Sequence, residues 1–348
     1  MKGVATAGSP AELLREARRR RLRVQGSRVG FLGLLVLLLY ATSLMAGDTF
    51  YGPSEVIRVI AGETVPGASF AVGELRLPRA SLGLLSGLAF GVAGVTFQTL
   101  LRNQLASPDI IGISSGASVA GVIGIVMFGA SQVAVSGAAL AAAITTAMVI
   151  YLLSYRNGFA GTRLILIGIG VSSMLGSVVA YVLSQAAAWD LQTATRWLTG
   201  SLNGATWEQV APVALVCLLV LPLMVANSHS FGALRFGDDT ATGLGVRVRL
   251  ARVLAIVGAV SLVAVATAAC GPVAFVAFMS GPIAARVVGP AASLLVPASL
   301  VGAGLMLLSD LAGQNAFGTR YPVGIITGAL GAPFLIYLLI RSNRQRRA

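Results

Sequence analysis

Apolar residues in this chain gather into ten runs, at residues 29–46, 80–101, 110–130, 132–154, 163–187, 208–226, 251–268, 272–288, 293–311 and 322–340. Each lies near or above the ~18 to 20 residues that cross the hydrocarbon core of a bilayer. Lipid offers the backbone no hydrogen-bond partners, so runs of this length predict helices. Strands of a membrane barrel would alternate polar and apolar positions over ~10 residues, a pattern absent here. The expectation is an all-α polytopic membrane protein with about ten transmembrane helices. The first run follows a basic stretch, as a secretory leader does, but its length and the lack of a small-x-small cleavage site favour a retained helix. The chain then divides into a basic N-terminal arm (1–28), a membrane domain (29–341) and a basic tail (342–348).

Composition agrees, with 56% hydrophobic and 11% charged residues and a mean hydropathy of +0.85. A soluble domain carries roughly 25% charge. The cations set an orientation, because Lys and Arg accumulate in cytoplasmic loops. If ten helices alternate from an N-terminus inside, twenty of the 25 Lys and Arg residues fall on the cytoplasmic side. These are eight in the arm, Arg102, Arg156, Arg163, Arg235, Arg247, Arg249, Arg252, Arg286 and four in the tail. Arg58, Arg76, Arg79, Arg196 and Arg320 remain outside. Both termini are therefore expected in the cytoplasm, and the net charge of +13 needs no nucleic acid to explain it.

Missing residues narrow the chemistry. The only lysine is Lys2, so a Walker A lysine has no place in the membrane domain, and ATP hydrolysis has to come from another subunit. One histidine, His229, and two cysteines, Cys217 and Cys270, do not match a zinc or haem spacing. No metal or cofactor is expected; the cysteines read as packing residues and His229 as a solvated loop residue. Gly112-Ile113-Ser114-Ser115-Gly116 fits the nucleophile-elbow pattern, but that motif needs a preceding strand and a nearby histidine base. Here it starts a membrane helix. Gly83, Gly87 and Gly91, Gly112 with Gly116, and Gly324 with Gly328 repeat at four-residue spacing, which lets helix backbones approach closely. Asp310 is the one carboxylate deep in an apolar run. Such a residue is costly and functional by default, and an ion-coupled secondary transporter would use it. Its place near Gly313, at a helix end, is expected to open it to water.

Residues 76–118 read RLPRASLGLLSGLAFGVAGVTFQTLLRNQLASPDIIGISSGAS, which resembles the signature of the FecCD-type permeases, the membrane subunits of siderophore, haem and cobalamin importers. Later blocks agree in order: RWLTGSLNGATW at 196–207, FGDDTATGLGVRV at 236–248, GPVAFVAF from Gly271, Ser309-Asp310, and YPVGIITGALGAPFLIYLL from Tyr321. The likeness covers nearly everything after Arg76. It departs at Gly281-Pro282-Ile283-Ala284-Ala285-Arg286, where relatives carry Pro-His or Pro-Gln before Ile-x-Arg, at Gln104 in place of proline, and at Arg320-Tyr321 in place of an acidic residue and leucine.

The resemblance implies a type II ABC importer permease fold, carrying an iron-siderophore or related metal chelate by alternating access. It also implies a second permease subunit, two ATP-hydrolysing subunits and an extracytoplasmic substrate-binding protein. Carried over residue by residue, it assigns binding-protein docking to Arg76 and Arg79, whose planar forks suit carboxylates. Asn103, Leu105, Gly161 and Thr162 match a cytoplasmic gate. Gly237, Asp238, Asp239, Thr240, Leu244 and Gly245 match the loop that contacts the ATPase. Small neutral side chains such as Ser172, Ser173 and Ser177 are expected along the translocation pathway.

Overall fold

The computed structural model describes residues 10–154, 161–289 and 293–347; Arg156 lies outside them. Helix α1 (Pro10–Met45) is continuous, so the boundary drawn at residue 28 falls inside it. Its 36 residues span ~54 Å, well beyond a ~30 Å hydrocarbon core. Helix α2 (Pro53–Ile60) is followed by a turn, after which a π-helical segment (Ser69–Arg76) leads without a break into α3 (Leu77–Leu100). The run expected from residue 80 thus begins eleven residues earlier, at Ser69. Pro78 has no N–H for an ordinary helical bond, and the wider turn before it, with Leu77 N–H donating to the Val72 carbonyl, absorbs the mismatch.

Beyond α3 come α4 (Pro108–Ile111), α5 (Ile113–Phe128), α6 (Gln132–Ser154), α7 (Gly161–Ser184), α8 (Ala188–Thr199), α9 (Trp207–Ala226), α10 (Ser228–Leu234) and α11 (Asp238–Gly243). The chain closes with α12 (Val248–Cys270), α13 (Val276–Val288), α14 (Leu295–Asn315) and α15 (Val323–Arg347). Eight helices among the described residues are long and apolar enough to cross a membrane. Two of the ten expected runs are shorter, at 16 residues in α5 and 13 in α13. In the first, Gly112 takes a left-handed φ of 95° and splits the run into α4 and α5. In the second, residues 271–275 form an irregular turn, with Phe275 at φ 67°. Backbone that leaves a helix at this depth has to find protein partners: the Cys270 carbonyl, where α12 ends, accepts from Ser201 N–H at 2.8 Å, and the Gly200 carbonyl accepts from Gly324 N–H at 3.1 Å.

Helix α3 is the hub, packed against α14, α12, α13 and α9. In its most apolar stretch 78% of the residues are buried, against 11% in that of α7. A Cβ at Gly87 would run into the Gly302–Ala303 backbone of α14, one at Gly91 into Ala298, and one at Gly94 into Ala277 of α13. The expected glycine stripe therefore does bring helix axes together. Gly112 and Gly116 behave likewise against α7 and α6. Gly324 meets the Thr199 backbone, but Gly328 has open space around it, so that pairing is corrected to a single contact. Pro282 inside α13 leaves the Phe278 carbonyl without its helical donor, and buried Gln98 of α3 supplies one, Nε2 to carbonyl, at 3.0 Å.

Candidate functional site

Polar and charged groups concentrate at the two ends of α3. At its start, three arginines border a cleft of about 470 Å³, Arg76, Arg79 and Arg320, together with Asp48, Tyr51 and Gln314. Each guanidinium is already engaged. Arg76 donates to the carbonyls of Leu44, Met45 and Thr49 at 3.1, 2.8 and 2.6 Å, closing the end of α1, and lies 5.0 Å over the Tyr51 ring. Arg79 grips Asp310 through Nε at 2.9 Å and Nη2 at 2.8 Å. Arg320 pairs with Asp48, whose carboxyl this hydrogen bond and charge hold below the usual carboxylate range. Arg320 joins the cleft from the turn before α15, a convergence that chain order does not reveal.

Asp310 is 3% exposed and sits on α14 more than a turn before its end at Asn315. The expected access to water is therefore corrected. The carboxylate takes two bonds from Arg79 and one from Gln314 Nε2 at 2.6 Å. A buried charge paired bidentately is accounted for by its partner, which removes the observation that favoured ion-coupled transport.

At the other end of α3, Asp238 on α11 accepts two bonds from Arg252 of α12, at 2.8 and 2.7 Å, and one from Arg102 at 3.2 Å. Arg102, at a left-handed φ of 50°, also donates to the Leu234 carbonyl at 3.2 Å. The turn after α3 is thereby fastened to α10, α11 and α12. Around this staple Asp239, Thr240 and Gly245 are exposed, and Phe236 and Leu244 present apolar side chains at 72% and 65% exposure. Gly237, at φ 108°, makes the turn that starts α11.

Asn103 Oδ1 accepts the Leu105 N–H at 2.9 Å and shapes that turn locally. Gly161 at the start of α7 comes up against Leu101, so the two segments matched to a gate adjoin within one subunit; Thr162 is exposed. The hydroxyls of Ser172, Ser173 and Ser177 bond carbonyls of their own helix, those of Gly168, Ile169 and Ser173. Ser173 and Ser177 lie on the largely uncovered face of α7. Ser114 of the elbow-like motif donates to Asp109 at 2.7 Å, and His229 lies beyond the other end of α3 on α10. Cys217 and Cys270 are free and buried.

Residues 34–341 match the FecCD transport family. The chain belongs to this family. The ferric enterobactin transport system permease protein FepG of Escherichia coli (strain K12) is 39% identical over 304 residues, 87% of this chain and 92% of the relative. The achromobactin transport system permease protein CbrC of Dickeya dadantii (strain 3937) is 38% identical over 320 residues, 91% and 92%. A solved inward-facing conformation of a metal-chelate type ABC transporter superposes at TM-score 0.80 with 27% identity, over 90% of this chain and 98% of that one. This FecCD protein is thus a multi-pass membrane permease subunit of an ABC importer, with the expected all-α fold.

Proposed function

We propose that this FecCD permease carries an iron-siderophore inward across the cytoplasmic membrane by alternating access. Energy comes from two separate ATP-hydrolysing subunits, and the chelate from an extracytoplasmic binding protein. The observation that carries this reading is the family match over residues 34–341, among whose relatives siderophore permeases recur. Two copies of the permease, identical or homologous, enclose the pathway between faces such as that of α7, where Ser173 and Ser177 lie uncovered.

The end bearing Arg76, Arg79 and Arg320 faces the binding protein and the end bearing α11 faces the cytoplasm, in keeping with the distribution of cations. In the cleft, Asp310 orients Arg79 and leaves its Nη1 without a partner among the described residues. A carboxylate on the binding protein finds there a donor already in place. At the opposite end Phe236 and Leu244 flank α11 and enter the ATPase surface, while Asp238 transmits its motion through Arg252 to α12 and through Arg102 to α3. Asn103, Leu105, Gly161 and Thr162 close the pathway on that side.

The test is uptake of iron-55-labelled siderophores by a strain deleted for this gene and complemented with it. Uptake of at least one siderophore is expected to depend on the chain; transport of none, with a different solute restored instead, overturns the substrate. Reporter fusions after Arg341 are expected to give cytoplasmic-type activity, and a periplasmic signal overturns the orientation.

A further inference from the structure

The end of the bundle that carries α10 and α11 contains a second cavity, of about 510 Å³, bordered by Phe236 and Leu244 and otherwise lined by residues to which the transport cycle as described gives no role. Its walls are mostly apolar, from Val95 and Leu100 of α3, Phe231 of α10, Ala255 of α12 and Leu295 of α14, with the hydroxyls of Thr96, Thr99, Ser228 and Ser293 among them. Arg235 and His229, both exposed, stand among its lining residues, and no carboxylate does. Neither side chain has a hydrogen bond or ion pair among the described residues. Asp238, the nearest acidic group in sequence, is committed to Arg252 and Arg102.

Apolar walls and a cationic mouth together point to the occupant. Val95 lies five residues inside the end of α3 and Ala255 seven inside the start of α12. At the helical rise these lie ~8 and ~10 Å in from the helix ends, so the hollow reaches into the apolar part of the bundle. The volume lies in the ~300 to 1,000 Å³ range of ligand pockets. An apolar hollow at that depth with a cationic mouth matches one class of molecule, a phospholipid with a negative headgroup and its chain inward. We propose that this cavity binds an anionic phospholipid, with Arg235 holding the phosphate and the α3, α12 and α14 walls holding an acyl chain. The site borders Leu244 and Phe236, so a bound lipid forms part of the ground on which α11 rests. The proposal holds whichever end faces the cytoplasm.

The test uses the complete importer, reconstituted in nanodiscs of phosphatidylcholine and phosphatidylglycerol and then extracted into detergent. Lipid retained per permease is measured by extraction and mass spectrometry. The native protein is expected to retain phosphatidylglycerol over phosphatidylcholine. One basic contact at a membrane surface contributes about 1 kcal/mol, so Arg235→Ala should lower that retention about fivefold. Arg235→Lys should keep it, and Arg249→Ala, at the same end but outside the cavity, should leave it unchanged. Equal retention of the two lipids, equal loss in Arg249→Ala, or unchanged retention in Arg235→Ala overturns the proposal. Release of the ATPase by Arg235→Ala with lipid retention intact also overturns it, and makes the cavity a seat for that subunit's side chains.

Discussion

Two aspartates anchor arginines at opposite ends of α3, and their surroundings differ in kind. Asp310 and Arg79 are 3% and 17% exposed, sealed between α3 and α14. Asp238 is 47% exposed and shares itself between Arg252 and Arg102. In the buried pair, removal of one partner strands a charge with little access to water, at a cost of about 3 to 5 kcal/mol. In the open cluster, solvent replaces a lost contact, and such pairs contribute about 0.2 to 1 kcal/mol. Burial thus marks Asp310 as structural and orienting. The exposed cluster, flanked by uncovered Phe236 and Leu244, is where a partner's surface has something to engage.

The largest effect is expected from Asp310→Asn, which should destabilise the purified subunit by about 3 to 5 kcal/mol and sharply reduce its amount in the membrane. Thermal unfolding in detergent measures this, and Arg79→Leu combined with Asp310→Leu should recover most of the loss. A single variant with near-native stability would erase the contrast between the two ends. Gln98→Leu, midway along the bundle, removes the donor to the carbonyl freed by Pro282. It should cost about 1 kcal/mol, in the range of polar contacts between membrane helices, and the same melt reads it.

At the open end, Asp238→Asn should change stability by less than about 1 kcal/mol. Replacement of residues 238–243 by Gly-Ser of equal length should leave membrane insertion normal, weaken ATPase association and abolish uptake. A replaced variant that still stimulates ATP hydrolysis on docking and transports at the native rate would move coupling elsewhere, with residues 156–163 the next segment to test. Smallest of all is the Asp48–Arg320 pair, both partners of which are more than half exposed. Asp48→Asn should not change stability measurably at neutral pH. The carboxyl's pKa is held below its ordinary value by Arg320, so whatever the pair contributes is present above that ordinary value and fades as pH falls through the lowered one. Arg320→Glu, by contrast, should reduce uptake while assembly with the ATPase persists, and undiminished uptake removes Arg320 from the docking face.

Much of this architecture is legible in the chain itself. Length and apolarity of the runs dictate membrane helices because lipid leaves the backbone no other partner, and glycines at 83, 87 and 91 announced the close approach on α3. Other features depended on residues far apart in the chain. Nothing in the run at 272–288 reveals that residues 271–275 leave the helix, since the backbone that packs against Gly271 and Pro272 comes from Trp197 and Gly200. Gly328 has the same local spacing as Gly91 and no neighbour. Among the candidate site residues, the Asp238 loop stood out by its family resemblance, but its grip on Arg102 and Arg252 did not.

Asp310 is the clearest division between the two levels. The sequence by itself determined that a carboxylate in an apolar helix must have a reason to be there, because an isolated charge in lipid is too costly to persist. Which reason it has depends on what stands opposite. Arg79 lies 231 residues away in the chain, and only the packing of α3 on α14, permitted by glycines whose side chains are absent from the interface, carries its guanidinium to 2.8 Å. Electrostatic pairing acts over ångströms in space and is blind to separation along the chain. Tertiary structure alone therefore decided that this carboxylate holds an arginine in place.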